Sequence, residues 1–125
     1  SIEFTSSVQS EAMVFADKDQ MNRVLTNLIK NAIQATEETD NAKVALSLER
    51  DRNNYLIRVE DNGVGIPENQ REKIFVPNFT TKSKGAGLGL AMVKNIVNQA
   101  EGEIWFESIE GQGTSFFVQL PAQGS

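Results

Sequence analysis

Met21, Val24, Leu25, Leu28, Ile29, Ala32 and Ile33 recur at helical spacing. They predict an amphipathic helix, capped by Asp17 or Asp19, that runs to about Glu38. Before it, "IEFTSS" and "AMVFAD" read as short strands rich in β-branched and aromatic residues. After it, "KVALSLER" and "YLIRVED" alternate with period two, as two strands joined by a turn at "DRNN". A glycine-punctuated loop, "DNGVGIPENQ", precedes a short predicted helix over Glu68–Ile74 and the irregular stretch "VPNFTTKSKGAG". A second long helix is expected over Leu88–Ala100. The segments "EIWFES" and "TSFFVQLP" form a closing hairpin around "IEGQG". The order strands, helix, strands, loop, helix, strands predicts an α/β two-layer sandwich: a mixed, mainly antiparallel sheet with helices packed on one face. Regular strand–helix alternation, the mark of a doubly wound sheet, is missing.

The chain has 125 residues, 39% of them hydrophobic, enough for one domain (1–125) with its own core. No window approaches the ~18 apolar residues of a membrane span, and the N-terminus lacks a signal-peptide pattern. A fragment that is not membrane-embedded, cytoplasmic and monomeric in isolation is therefore expected. Cysteine and histidine are both absent, which excludes disulfides, thiolate metal sites and catalysis by a histidine of this chain. A net charge of −5 argues against nucleic acid as a partner. Within that acidic balance, Arg71, Lys73, Lys82 and Lys84 face only Glu72 between positions 71 and 84. This basic segment either holds an anionic small molecule or is a solvated loop.

The stretch "NLIKN" places Asn27 and Asn31 four apart in the first helix. With about 100° between successive helical residues, Asn31 lies about 40° from Asn27, with Gln34 about 20° to the other side. Both amides share a polar stripe beside the apolar seam. A wet face gains nothing from asparagine, which costs roughly 0.6 kcal/mol against alanine in a helix. Amide oxygens, however, are hard neutral ligands suited to Mg²⁺ near phosphates. "DNGVGIP" follows a strand, so Asp61 sits at the floor of a turn where Gly63 and Gly65 allow close backbone approach. "GAGLGL" opens the second helix, where exposed N–H groups favour phosphate. Neither a Rossmann fingerprint nor a P-loop is present. "GQGT" reads as a hairpin turn or as part of the same site.

Taken in order, N-x-x-x-N, DNGVGIP, FTTK, GAGLGL and GQGTSF run from Asn27 to Phe116, within a likeness that extends over about residues 17 to 121. This series resembles the ATP-binding catalytic domain of sensor histidine kinases, of the Bergerat fold shared with gyrase and HSP90. The resemblance implies ATP and Mg²⁺ as cofactors, with Asn31 as the metal ligand. It implies that Asn27 stands where hydrolytic relatives carry a water-activating glutamate. An amide cannot take up that proton, so transfer is favoured over hydrolysis. Asp61 is implied to accept the adenine amino proton, with Thr114 joining that network. Gly63, Gly65, Ile66, Leu90 and Phe116 would wall the base. Phe75 and Phe79 flank the start of a mobile lid over residues 76–86. Lys82, and less directly Lys84, would meet the phosphates, with Gly85, Gly87, Leu88 and Gly89 forming the hinge and helix start. Many members have a cation and then tyrosine beginning three residues after the metal asparagine. Here Gln34 and Ala35 stand there, which shifts the cationic grip toward Lys82. With FTTK, this resembles the nitrogen-regulatory subgroup. Catalysis would rest on Asn31, Asn27 and Lys82, and the chain would be a domain excised from a larger kinase. The implied partners are a histidine-bearing dimerisation domain and a response-regulator receiver domain. The alternatives are an ATPase of the gyrase type and an anti-sigma-type serine kinase.

Overall fold

The computed structural model describes residues 2–8, 18–51, 54–76 and 86–121, with only the backbone of 2–8, 18, 19, 51 and 86–88. Five strands and two helices follow in the order β1 (Ile2–Val8), α1 (Lys18–Ala35), β2 (Ala42–Asp51), β3 (Asn54–Asp61), α2 (Ala86–Gln99), β4 (Glu103–Ile109) and β5 (Gly113–Pro121). The sheet order is β1-β2-β3-β5-β4. β1 pairs with β2 in parallel, as a strand–helix–strand crossover through α1 requires. The β2–β3, β3–β5 and β4–β5 pairs are antiparallel. The mixed, mainly antiparallel sheet expected from the sequence is therefore present.

Period-two alternation decides which sheet face meets the helices. Tyr55, Ile57, Val59 and Asp61 of β3 are buried, and so are Thr114, Phe116, Val118 and Leu120 of β5. From α1 come Met21, Val24, Leu28 and Ala32, and from α2 Leu90, Val93 and Val97, all in one apolar cluster. Truncating a fully buried member such as Leu28 to alanine costs about 2–5 kcal/mol. No helix among the described residues covers the opposite sheet face. There Trp105 of β4 stacks on Phe117 of β5 with centroids 5.3 Å apart, and the Arg58 guanidinium lies over the Phe117 ring.

Three details differ from the sequence-based expectation. α1 ends at Ala35, not near Glu38: the N–H groups of Thr36 and Glu37 turn to the carbonyls three residues back, of Ile33 and Gln34, which tightens the chain into turns. Ile33, expected in the apolar seam, is 39% exposed. The buried seam is centred on Val24, Leu28 and Ala32, so it is rotated toward Asn31. Glu68–Gln70 is one 3-10 turn followed by turns through Phe75, not a helix to Ile74. The expected second strand, "AMVFAD", lies outside the described residues.

Candidate functional site

The site begins at the end of β3. Asp61 is paired across the sheet with Thr114 at the start of β5 and with Val44 on β2. Its Oδ1 accepts the N–H of Gly63 at 2.8 Å, closing a tight turn. Asp61 is 7% exposed. Burial pushes its carboxyl up to about 6, against the N–H groups of Gly63 and Thr114, which pull it down, while the Glu60 charge adds to the rise. A carboxylate kept ionisable in so dry a place is a marker of a binding site.

The turn after Asp61 is fitted by close backbone approach. A methyl at Gly63 would lie 2.2 Å from the carbonyl oxygen of Ala35, the last residue of α1. That same oxygen accepts the Val64 N–H at 3.1 Å. Gly65 has φ +75, and a methyl there would meet the Ile109 carbonyl oxygen at 2.5 Å. Gly113 has φ +138, and a methyl there would lie 2.1 Å from the Asp61 carbonyl oxygen. Thus "GQGT" is both the β4–β5 hairpin turn and a wall against Asp61.

α1 carries the second half of the site. Asn31 lies one turn before Ala35, and Asn27 one turn earlier. At 1.5 Å rise per residue, Asn27 and Ala35 are about 12 Å apart along the axis. Asn31 and Gln34 are half-buried, and no described group hydrogen-bonds the Asn31 amide. Asn27 is committed differently. Its Nδ2 donates to the Arg23 carbonyl at 2.7 Å, and its Oδ1 lies where a methyl on Gly89 would stand, 2.5 Å away. Gly89 therefore lets the start of α2 close on Asn27, and part of the answer to the paired asparagines is packing between helices.

Leu90 and Phe116 are 5% and 1% exposed, so they back the site from the core. Phe75 joins them, its ring 6.5 Å from Phe116 and 6.2 Å from Phe106, with the Lys94 ammonium 5.1 Å above it. Ile66 is half-buried against the same cluster. The backbone at Gly87 and Leu88 is helical, as expected for the first turn of α2. Phe79, Lys82, Lys84, Gly85 and most of the 76–86 segment lie outside the described residues.

Sequence reasoning missed four groups. Ser108 Oγ accepts the Ile66 N–H at 2.8 Å, lies 3.1 Å from the Gly113 carbonyl oxygen and 2.9 Å from Thr114 Oγ1. Arg71 donates to the carbonyls of Ser108 and Ile66, at 2.7 and 3.3 Å. Its guanidinium braces two backbone segments, which removes Arg71 from the anion-holding reading of the basic segment. Asn62 prolongs the β2–β3 pairing, its Oδ1 accepting the Lys43 N–H at 2.7 Å and its Nδ2 donating to the Asn41 carbonyl at 3.0 Å. The Ala35 carbonyl is the fourth. For Ser108 a signal existed: it falls in the inward phase of β4, with Ile104 and Phe106, where a polar residue needs a partner.

Asp61 and the Thr114 hydroxyl thus stand opposed on the sheet, and Asn31 lies one helical turn before Ala35, whose carbonyl meets the turn at Gly63. The chemistry of these groups fits a purine with an exocyclic amine and a hard divalent cation. The sequence profile of the family described as "Histidine kinase-, DNA gyrase B-, and HSP90-like ATPase" matches residues 16–124. The sensor histidine kinase ZraS of Salmonella typhimurium strain LT2 is 45% identical over 106 residues, covering 85% of this chain and 23% of that protein. The chain thus spans about a quarter of that curated relative's length. Among solved structures, the catalytic domain of histidine kinase ThkA superposes with a TM-score of 0.81 at 38% identity, covering 96% of this chain and 80% of that one. Full-length ShkA in complex with AMPPNP superposes with a TM-score of 0.80 at 30% identity, covering 96% of this chain and 25% of that one. The chain belongs to the histidine kinase-, DNA gyrase B- and HSP90-like ATPase family.

Proposed function

We propose that this domain binds Mg·ATP between Asp61 and Asn31 and donates the γ-phosphoryl group to a histidine on a separate dimerisation domain. A response-regulator receiver domain then takes the phosphoryl group, in two-component signalling. Asp61 is the observation that carries the reading: a 7% exposed carboxylate, opposite Thr114, at a turn tightened by two close-packed glycines. Ionised, it accepts hydrogen bonds and donates none, so it favours the adenine amino group over the guanine carbonyl. A site built for one such bond rejects the mismatched analogue by ~10⁴-fold or more.

Bound Mg·ATP supplies the phosphoryl group and the cation that neutralises its charge. The chain's own residues position and enclose it. Asn31 offers a neutral oxygen to the metal without adding negative charge beside the phosphates. Asn27, with its Nδ2 already on the Arg23 carbonyl, cannot accept a proton from water, so the site favours transfer over hydrolysis. Ile66, Leu90 and Phe116 exclude water around the base. Lys82 takes the phosphate-facing role, and residues 76–86 serve as the lid. We place the domain on the cytoplasmic side of a larger sensor kinase. No helix among the described residues is long and apolar enough to cross a membrane.

The test mixes the domain with Mg·ATP and a histidine-bearing dimerisation hairpin and assays acid-labile phosphate on the hairpin. Transfer supports the reading. ATP binding with steady hydrolysis and no transfer would favour the ATPase alternative and refute the kinase reading.

A further inference from the structure

Ser108 Oγ has three polar neighbours: the Ile66 N–H at 2.8 Å, the Gly113 carbonyl oxygen at 3.1 Å and Thr114 Oγ1 at 2.9 Å. A serine hydroxyl carries one proton and two lone pairs. The Ile66 N–H uses one lone pair. The Gly113 carbonyl only accepts, so it takes the proton. The contact with Thr114 is then a hydrogen bond only if Thr114 gives its own proton to the second lone pair of Ser108. The reverse assignment spends the Ser108 proton on Thr114 and leaves the approach to Gly113 without one. A single arrangement therefore makes all three contacts hydrogen bonds. In it the Thr114 oxygen presents only lone pairs to anything else. Thr114 is 5% exposed and stands directly across the sheet from Asp61, whose ionised carboxylate also only accepts.

We infer that Ser108 adds to the purine selectivity provided by Asp61, by drawing the Thr114 proton and so making Thr114 a second acceptor beside it. The inference rests on the nucleotide reading above and extends it. Two paired acceptors favour a 6-amino purine, which offers N–H groups, over a 6-oxo purine, which offers a carbonyl oxygen. Ser108 acts through Thr114, so it is a positioning residue. Its own place is held by Arg71, which donates to the Ser108 carbonyl at 2.7 Å and the Ile66 carbonyl at 3.3 Å. The Gly111 N–H also ties the hairpin to the loop, at 2.7 Å from the Val64 carbonyl.

The test is calorimetric titration of the chain, with Mg²⁺, by ATP and by inosine triphosphate. The wild-type chain should prefer ATP. Ser108→Ala frees the Thr114 proton to donate to a 6-oxo group, so the ATP-to-inosine-triphosphate affinity ratio should fall about tenfold, the scale of one mismatched buried hydrogen bond. Ser108→Thr keeps the hydroxyl and should restore the ratio. Equal weakening of both nucleotides at an unchanged ratio would overturn the inference, since Ser108 would then only brace the loop. Failure of Ser108→Thr to restore the ratio would overturn it too. Should Ser108→Ala fail to fold, Ser108→Cys decides, since a thiol fills the position but accepts hydrogen bonds weakly. A fallen ratio in that variant supports the inference, and an unchanged ratio overturns it. A wild-type chain that binds ATP without preference overturns this inference and the Asp61 assignment with it, while nucleotide binding itself stands. One that binds neither nucleotide refutes the nucleotide reading as well.

Discussion

Replacing Asp61 with asparagine should make the nucleotide-free domain more stable while weakening ATP binding. Burial raises the Asp61 carboxyl from 3.8 to about 6, with Glu60 adding to the rise and the N–H groups of Gly63 and Thr114 opposing it. The folded state therefore holds this proton more tightly than the unfolded chain. Between pH 3.8 and about 6 the folded state binds more protons than the unfolded one, so stability falls as pH rises through that window. Above it the loss is complete, and the ionised carboxylate costs about 3 kcal/mol relative to its neutral form. Asparagine is nearly isosteric, keeps an oxygen for the Gly63 N–H and does not ionise. Urea unfolding at pH 7.5 should show Asp61→Asn more stable by up to about 3 kcal/mol. At pH 5 the advantage should shrink to roughly half, because the wild-type carboxyl is then mostly protonated. Calorimetry should show the opposite trend for ATP, with weaker binding in the variant. A variant less stable than wild type at pH 7.5, or a difference that does not narrow toward pH 5, would refute the argument that this carboxylate is held ionisable at a cost to the fold.

Four further outcomes follow from the packing. Asn31→Ala should abolish Mg·ATP-dependent transfer to an added acceptor hairpin and leave stability within about 1 kcal/mol of wild type, since no described group bonds the amide. Transfer at the wild-type rate would remove Asn31 from the site. Gly89→Ala puts a methyl 2.5 Å from Asn27 Oδ1 and should displace that amide, offsetting the gain of roughly 1 kcal/mol that alanine brings to a helix, whereas in an Asn27→Ala background the gain should show in full. Additive effects in thermal melts would contradict that contact. Gly63→Ala drives a methyl to 2.2 Å from the Ala35 carbonyl oxygen and should cost about 2–4 kcal/mol. Gly111→Ala has open space but φ +84, so its cost should stay near 1–2 kcal/mol in the same unfolding assay.

The strands and helices were legible because their periods differ. Strict alternation in β3 and β5 assigns Tyr55, Ile57 and Val59, and Phe116, Val118 and Leu120, to the helix-covered face. The α1 stripe was legible as well, but not its rotation. Ile33 fits the helical spacing yet is exposed, because α1 ends at Ala35 and the sheet and α2 cover the Val24–Leu28–Ala32 side. The short segment after Pro67 misled because its spacing resembles a helix, whereas the observed turns bring Ile74 into the core and Arg71 onto two carbonyls. The glycine motifs marked close backbone approaches, since Gly63, Gly65, Gly89 and Gly113 each meet another segment closely. The partners of Ser108 were hidden because the network joins residues up to 42 positions apart; the inward phase of β4 shows only that this serine needs a partner. Asn27 shows the limit of a motif: one residue type at helical spacing serves interhelical packing here, while Asn31, one turn on, is left uncommitted.

A structure of the chain bound to Mg²⁺ and a non-hydrolysable ATP analogue tests the central claim most directly. The account predicts the adenine amino group within hydrogen-bonding distance of the Asp61 carboxylate and the metal ligated by the Asn31 amide oxygen. A purine bound away from Asp61, or a metal with no contact to Asn31, would contradict it.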